Sequence, residues 1–196
     1  MYKTIPVGAL ETNCYLIQHG TVLYIIDPGA EAENIVAESG DFDFETARVL
    51  LTHAHVDHIS GLKDLVEMLK IDGIYMHRAD YELYRSSENA IDPWYPLQTG
   101  LPEVTFVPWS DFKVVETPGH TPGGVCYYFE EESLLFSGDT LFAGSVGRTD
   151  LPGGNQRRLL ESIRKEIFKL GDDVRCLPGH GCATTVGEEK RHNPYL

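Results

Sequence analysis

Thr52-His53-Ala54-His55-Val56-Asp57-His58 is the stretch on which the reading of this chain turns. Three of the eight histidines and an aspartate fall between positions 53 and 58. Imidazoles crowded against a carboxylate are costly to bury unless a ligand satisfies them. His53 and His55 are two residues apart, so on an extended segment leaving a strand both rings point to one side. Asp57 and His58, on the turn into a following helix, then face a neighbouring point. Imidazole nitrogen and carboxylate oxygen are donors that suit zinc, and they also suit iron or manganese.

The same arrangement recurs along the chain as an apolar strand, a small-residue turn and then a donor. Val49-Leu50-Leu51-Thr52 precedes His53, and Val114-Val115-Glu116-Thr117-Pro118-Gly119 precedes His120. Leu134-Leu135-Phe136-Ser137-Gly138 precedes Asp139, and Val174-Arg175-Cys176-Leu177-Pro178-Gly179 precedes His180. Strand-end loops on one edge of a rigid scaffold deliver distant residues to one place. Taken singly, any of these histidines reads as a hydrogen-bonded core or surface residue and Asp139 as a turn former. Together they give seven candidate ligands: His53, His55, Asp57, His58, His120, Asp139 and His180. That is too many for one zinc, which takes three or four protein ligands. Two divalent ions sharing Asp139, zinc first and iron or manganese allowed, is the economical solution. A bridging carboxylate and hydroxide hold such ions ~3.5–4 Å apart and lower the pKa of the water toward ~7. The expected catalytic residues are Asp139, between the ions, and Asp57, which orients the hydroxide.

Periodicity and turn signals predict strands at 2–7, 14–18 and 22–26, the last ending in Asp27-Pro28-Gly29. Helices are expected at 30–39, 58–69 and 79–86, with strands at 47–51 and 74–77 between them. The stretch 87–102, rich in Pro, Asn, Gly and aromatics, reads as a long surface loop. Short strands follow at 104–107, 112–116, 124–129 and 133–136 without helices between them, then a helix at 155–170 and a strand at 174–177. This order predicts an α/β (α+β) chain of two sheets with helices outside, in four layers. At 196 residues a single domain spanning 1–196 is expected.

The formal charge of −14 repels phosphates, and no run of Lys and Arg interleaved with aromatics overrides it, so nucleic acid is excluded as a partner. No apolar run approaches the ~20 residues that cross a bilayer, so no membrane partner is expected either. The first residues lack the features of a secretory signal, which predicts a cytoplasmic location. Cys14, Cys126, Cys176 and Cys182 are scattered without C-x-x-C spacing and read as reduced thiols.

The motif T-H-x-H-x-D-H, followed in order by His120, Asp139 and His180, resembles that of the metallo-β-lactamase superfamily over nearly the whole chain. The resemblance implies an αββα sandwich, one metal at His53, His55 and His120, a second at Asp57, His58 and His180, and Asp139 between them. Gly138-Asp139-Thr140-Leu141-Phe142 and Leu177-Pro178-Gly179-His180-Gly181 look most like the hydroxyacylglutathione hydrolases, or glyoxalase II enzymes, in their short form. That implies a hydrolase using a small-molecule thioester such as S-D-lactoylglutathione. Alternatives on the same fold are a glutathione persulfide dioxygenase, with one iron at His53, His120 and Asp139, and a lactonase. The dioxygenases share the first motif but usually show Pro-Ala-His-Asp-Tyr where this chain has Pro-Gly-His-Gly.

Arg148, in a Gly-rich loop, stands where longer relatives carry a substrate-contacting Lys. It is a candidate substrate-binding residue for a glycyl carboxylate, or else a structural partner of Asp150. Through the resemblance, Asp27 is expected to orient a ligand histidine; by itself it is a turn residue. Tyr81, Tyr84, Trp94 and Tyr95 are either a substrate wall or packing residues, and His77 is left outside the ligand set. The sequence leaves the oligomeric state open.

Overall fold

The computed structural model describes residues 1–106 and 112–196. It falls into two compact units, Met1–Met76 with Tyr81–Phe106, and His77–Asp80 with Val107–Leu196. Among the described residues no helix is long and apolar enough to cross a membrane.

The first unit holds strands β1 (Tyr2–Val7), β2 (Thr12–His19), β3 (Val22–Ile26), β4 (Thr46–Leu50), β5 (Ile71–Met76) and β6 (Thr105–Phe106). They form one six-stranded sheet in chain order, with β1 to β3 antiparallel and β3 to β6 parallel. The parallel half follows from its crossovers, which carry helices α1 (Ala32–Ser39), α2 (Val56–Ile59), α3 (Leu62–Met68) and α4 (Tyr81–Tyr84). Alternate strand residues Leu23 and Ile25, Ala47 and Val49, and Ile74 and Met76 pack with Ile35 of α1, Ile59 of α2 and Leu62 and Leu65 of α3 in one buried cluster.

The predicted helix over 58–69 is divided into α2 and α3. Its N–H at Gly61 donates to Pro28 O (3.0 Å), a contact made across more than thirty residues that no local pattern reveals. The predicted helix over 79–86 begins as a 3-10 turn, Arg78–Asp80, before α4. The stretch 87–102 carries no helix or strand, only an isolated bridge between Ile91 and Tyr95. Of the strand expected at 104–107, β6 occupies two residues, and Val107 lies outside the described residues.

The second unit contains β7 (Lys113–Glu116), β8 (Val125–Phe129), β9 (Leu134–Gly138), β10 (Leu141–Phe142), β11 (Ser145–Val146), β12 (Arg175–Pro178) and β13 (Thr184–Thr185). Its main sheet runs β13-β12-β9-β8-β7, and β10 pairs with β11 apart from it. Helix α5 (Gln156–Glu166) connects β9 to β12, whose pairing is parallel. Asn155 caps it, its Oδ1 accepting from Arg158 N (3.0 Å). Leu159, Ile163 and Ile167 project at helical spacing into a cluster with Val115, Cys126, Leu135 and Cys176. A further 3-10 turn, Ile167–Lys169, completes the segment expected as helix to 170. Helix α6 (Val186–His192) was not expected, although its start was legible: Thr185 Oγ1 accepts from Glu188 N (3.2 Å), as in a T-x-x-E capping pattern.

All four cysteines are free thiols, as expected. Burial pushes the Cys126 thiol up to about 11 and the Cys176 thiol up to about 12, so neither serves as a thiolate nucleophile at neutral pH.

Candidate metal centre

Four of the seven predicted ligands come together in the first unit, beyond the end of β4. The backbone turns there because Thr52 is captured by Asp27: Thr52 N donates to Asp27 Oδ1 (2.8 Å) and Thr52 Oγ1 to Asp27 Oδ2 (2.6 Å). Asp27 is buried, sits at φ 50° and takes its own backbone bond from N to Leu50 O (3.1 Å). The ring of His53 lies 4.9 Å from that of His55 and 4.1 Å from that of His58, centroid to centroid. His55 precedes α2 in an extended conformation, while Asp57 and His58 lie in its single turn.

The hydrogen bonds fix which ring nitrogen is available. The Asp27 carboxylate accepts from His58 Nδ1 (2.9 Å), which places the proton on Nδ1 and the lone pair on Nε2. The Thr52 hydroxyl donates to Asp27, so its oxygen accepts from His53 Nδ1 (3.1 Å), and His53 too presents Nε2 as its lone-pair nitrogen. Donor atoms of Asp27, His53 and His58 all lie within 4.8 Å of one another. That spacing alone makes Asp27 a ligand candidate, but its oxygens are committed to Thr52 and His58, so it orients the imidazoles instead. Asp57 Oδ2 accepts from the buried Thr12 hydroxyl (3.3 Å) and stands 3.5 Å from His58 Nε2.

Gly29 lets the Asp27-Pro28-Gly29 turn press onto this loop, since a Cβ there would stand 1.9 Å from Asp57 O. Gly29→Ala is therefore expected to destabilise the protein by about 1–3 kcal/mol through overpacking. Thermal unfolding checks it: Tm should fall by about 2–12 °C for a chain of this size.

The second unit gathers His120, Asp139 and His180. Asp139 follows β9 and His180 follows β12, and Gly179 N donates to Gly138 O (2.9 Å) to hold the two turns side by side. Asp139 Oδ2 lies 3.6 Å from His120 Nε2 and 3.7 Å from His180 Nε2. His120 Nδ1 donates to the Arg148 carbonyl (2.7 Å), leaving Nε2 as the lone-pair nitrogen facing Asp139. Gly147 permits the close passage of this strap, for its Cβ would lie 1.9 Å from Asp139 O and 3.3 Å from His120 Cβ.

Arg148 thus acts on the site first through its backbone. Its side chain, 62% exposed, forks onto Asp150 through Nε–Oδ1 and Nη2–Oδ2 bonds of 2.8 Å each, which is the structural pairing foreseen as one of its two readings. The Arg148 guanidinium holds the Asp150 carboxyl down at about 2. His77, left out of the ligand set, accepts from Ala79 N at Nδ1 (3.2 Å) and faces Glu116 (3.7 Å). Of the aromatic candidates, Tyr84 and Tyr95 are buried, whereas Trp94 is 62% exposed.

Sequence reasoning missed two supports. Asp80, buried, accepts from Thr121 Oγ1 (2.8 Å) and Gly123 N (2.5 Å), pinning the loop that carries His120. Asn89, within the expected surface loop, donates to Ala54 O (2.8 Å) between His53 and His55. An Asp at the start of a helix and an Asn in a loop are too common to single out beforehand.

The donor set fits a divalent metal. The imidazoles of His53, His58 and His120 have Nδ1 tied to an oxygen and Nε2 left as the lone-pair nitrogen, and one oxygen of the Asp139 carboxylate faces the Nε2 atoms of His120 and His180 at 3.6 and 3.7 Å, too long for hydrogen bonds and long enough to admit a cation beside each.

Comparison with known proteins agrees. Hydroxyacylglutathione hydrolase GloC of Haemophilus influenzae is 36% identical over 99% of this chain and 97% of its own length. A crystal structure described as the BLEG-1 B3 metallo-β-lactamase superposes with a TM-score of 0.87 at 34% identity, covering 100% of this chain and 99% of that one. A crystal structure of TTHA1623, described as di-iron-bound, gives a TM-score of 0.82 at 36% identity over 99% and 100% of the two chains. These matches bear out the expected fold class. With residues 7–180 matching the family model of the metallo-β-lactamase superfamily, the chain belongs to that superfamily and is a metallo-hydrolase.

Proposed function

We propose that the chain is a thioester hydrolase of the hydroxyacylglutathione hydrolase type, acting on S-D-lactoylglutathione-like substrates with two divalent ions. His53, His55 and His120 are assigned to one ion, Asp57, His58 and His180 to the other, and Asp139 to both. What carries the reading is the donor geometry: two imidazole Nε2 atoms converging on one Asp139 oxygen in one unit, and four donors crowded over a single loop in the other. The similarity to a hydroxyacylglutathione hydrolase over nearly the whole chain supports the substrate class.

When bound, such ions polarise a carbonyl oxygen and bring the pKa of a coordinated water toward ~7. The chain's own residues then do the positioning. Asp27 and Thr52 fix the tautomers of His53 and His58, and Thr12 holds one oxygen of Asp57, to which we assign orientation of the attacking water. The Arg148 fork spends Nε and Nη2 on Asp150 and keeps Nη1 for a glycyl carboxylate of the substrate.

The test is a substrate screen on protein loaded separately with zinc, iron and manganese. Turnover of S-D-lactoylglutathione without oxygen uptake is expected. Oxygen consumption with glutathione persulfide and one iron per chain would replace the reading with the dioxygenase. Turnover confined to acyl-homoserine lactones or β-lactams would move the substrate class while keeping the metal centre. Chelation should abolish turnover and lower Tm, because a ligand present at a thousand times its Kd stabilises by about 4 kcal/mol, or roughly 8–16 °C at this size. An unchanged melting curve after verified metal removal would contradict it.

A further inference from the structure

A cavity of about 430 Å³ opens in the first unit between α4 and the segment 97–104, within the range of ~300–1,000 Å³ typical of small-molecule sites. Its charged groups are one cation, Arg85, and one anion, Glu103, on walls that also carry aromatic, aliphatic and neutral polar side chains. The Arg85 guanidinium is laid over the Tyr81 ring, its Cζ 5.4 Å from the centroid, with Nη1 donating to the Tyr81 hydroxyl (3.4 Å). Tyr81 is itself braced edge-on against Phe106, with centroids 5.5 Å apart and planes at 89°. Tyr84, buried, donates its hydroxyl to Pro102 O (2.8 Å), which fastens the facing segment to α4. Glu103, next along that segment, lines the same cavity, as do Leu97 and Leu101. Among the described residues neither Arg85 nor Glu103 has an ion-pair partner.

A guanidinium fixed against a ring presents its remaining N–H groups as a fork matched to a carboxylate. A carboxylate in the same cavity complements an ammonium group. We propose that this cavity binds the α-amino-acid end of a small molecule, with Arg85 taking the carboxylate, Glu103 the ammonium group, and Leu97 and Leu101 the carbon chain. A simple carboxylate ligand would be repelled by Glu103, and a simple amine by Arg85; the zwitterion uses both. The site stands apart from the proposed hydrolysis, and its test reads binding alone.

The zinc-loaded, 15N-labelled protein is titrated with L-leucine, N-acetyl-L-leucine and L-leucinamide, the last two each lacking one charge of the zwitterion. L-Leucine should give saturable shifts at the amides of Arg85, Leu101 and Glu103, and each blocked analogue should bind about tenfold more weakly, the scale of one lost charged hydrogen bond. Arg85→Gln should erase the preference for leucine over leucinamide, and Glu103→Gln the preference for leucine over N-acetyl-leucine. Both residues are exposed, so these variants leave the core intact. Absence of saturable shifts up to the solubility limit of L-leucine, equal binding of the three probes, or unaltered preferences in both variants would each overturn the proposal.

Discussion

Asp27→Asn is expected to leave the chain folded and to weaken metal binding by about 10–100-fold, the usual cost of losing a group that orients a ligand. The Asp27 carboxylate accepts three hydrogen bonds, from Thr52 N, Thr52 Oγ1 and His58 Nδ1. An amide has one acceptor oxygen. If that oxygen keeps Thr52 N, the NH2 group faces His58 Nδ1 and the Thr52 hydroxyl. His58 must then move its proton to Nε2, and the Thr52 hydroxyl turns to donate to His53 Nδ1, which pushes that proton to Nε2 as well. Both lone pairs offered to the metal are lost without a change in side-chain size. The flipped amide is no better, because it sets NH2 against Thr52 N–H. Competition with a chelator measures the affinity, and imidazole 15N shifts report the tautomers; unchanged affinity would show that Asp27 is only a turn residue. Asn is tolerated at positive φ, so the backbone gives no separate penalty at φ 50°. Asp27→Ala, by contrast, strands three buried donors and should cost about 3–5 kcal/mol of stability.

The other large effect belongs to Asp139. Asp139→Ala removes the only carboxylate that faces both His120 and His180 at 3.6 and 3.7 Å among the described residues of the second unit. We expect bound metal to fall below two ions per chain and thioester turnover to drop by at least about a thousandfold, since ion polarisation contributes several kcal/mol to such reactions. The fold should survive, because Asp139 lies at a strand end and not in the buried cluster of Leu135, Cys176 and Leu159. Near-normal turnover in the variant would remove Asp139 from the centre.

Legibility from sequence followed the range of the forces involved. β1 and β3 match their expected bounds, because apolar patterning and flanking turns act within a few residues. The break between α2 and α3 was invisible, since it depends on Gly61 reaching Pro28 across the fold. Likewise the ligands were legible as a spacing of residue types, whereas their orientation was not. Asp27 meets Thr52 and His58 across 25 and 31 positions, and the strap from Arg148 to His120 spans 28. Helix α6 is the opposite case, for its start is marked by a local signal, the Thr185 cap on Glu188 N.

A two-ion centre sharing Asp139 fixes the metal content of the intact wild-type protein. Elemental analysis combined with native mass spectrometry should find two divalent ions per chain, one of which is lost first on titration with chelator. A single ion per chain that stays single when zinc, iron or manganese is supplied in excess would rule out the shared centre.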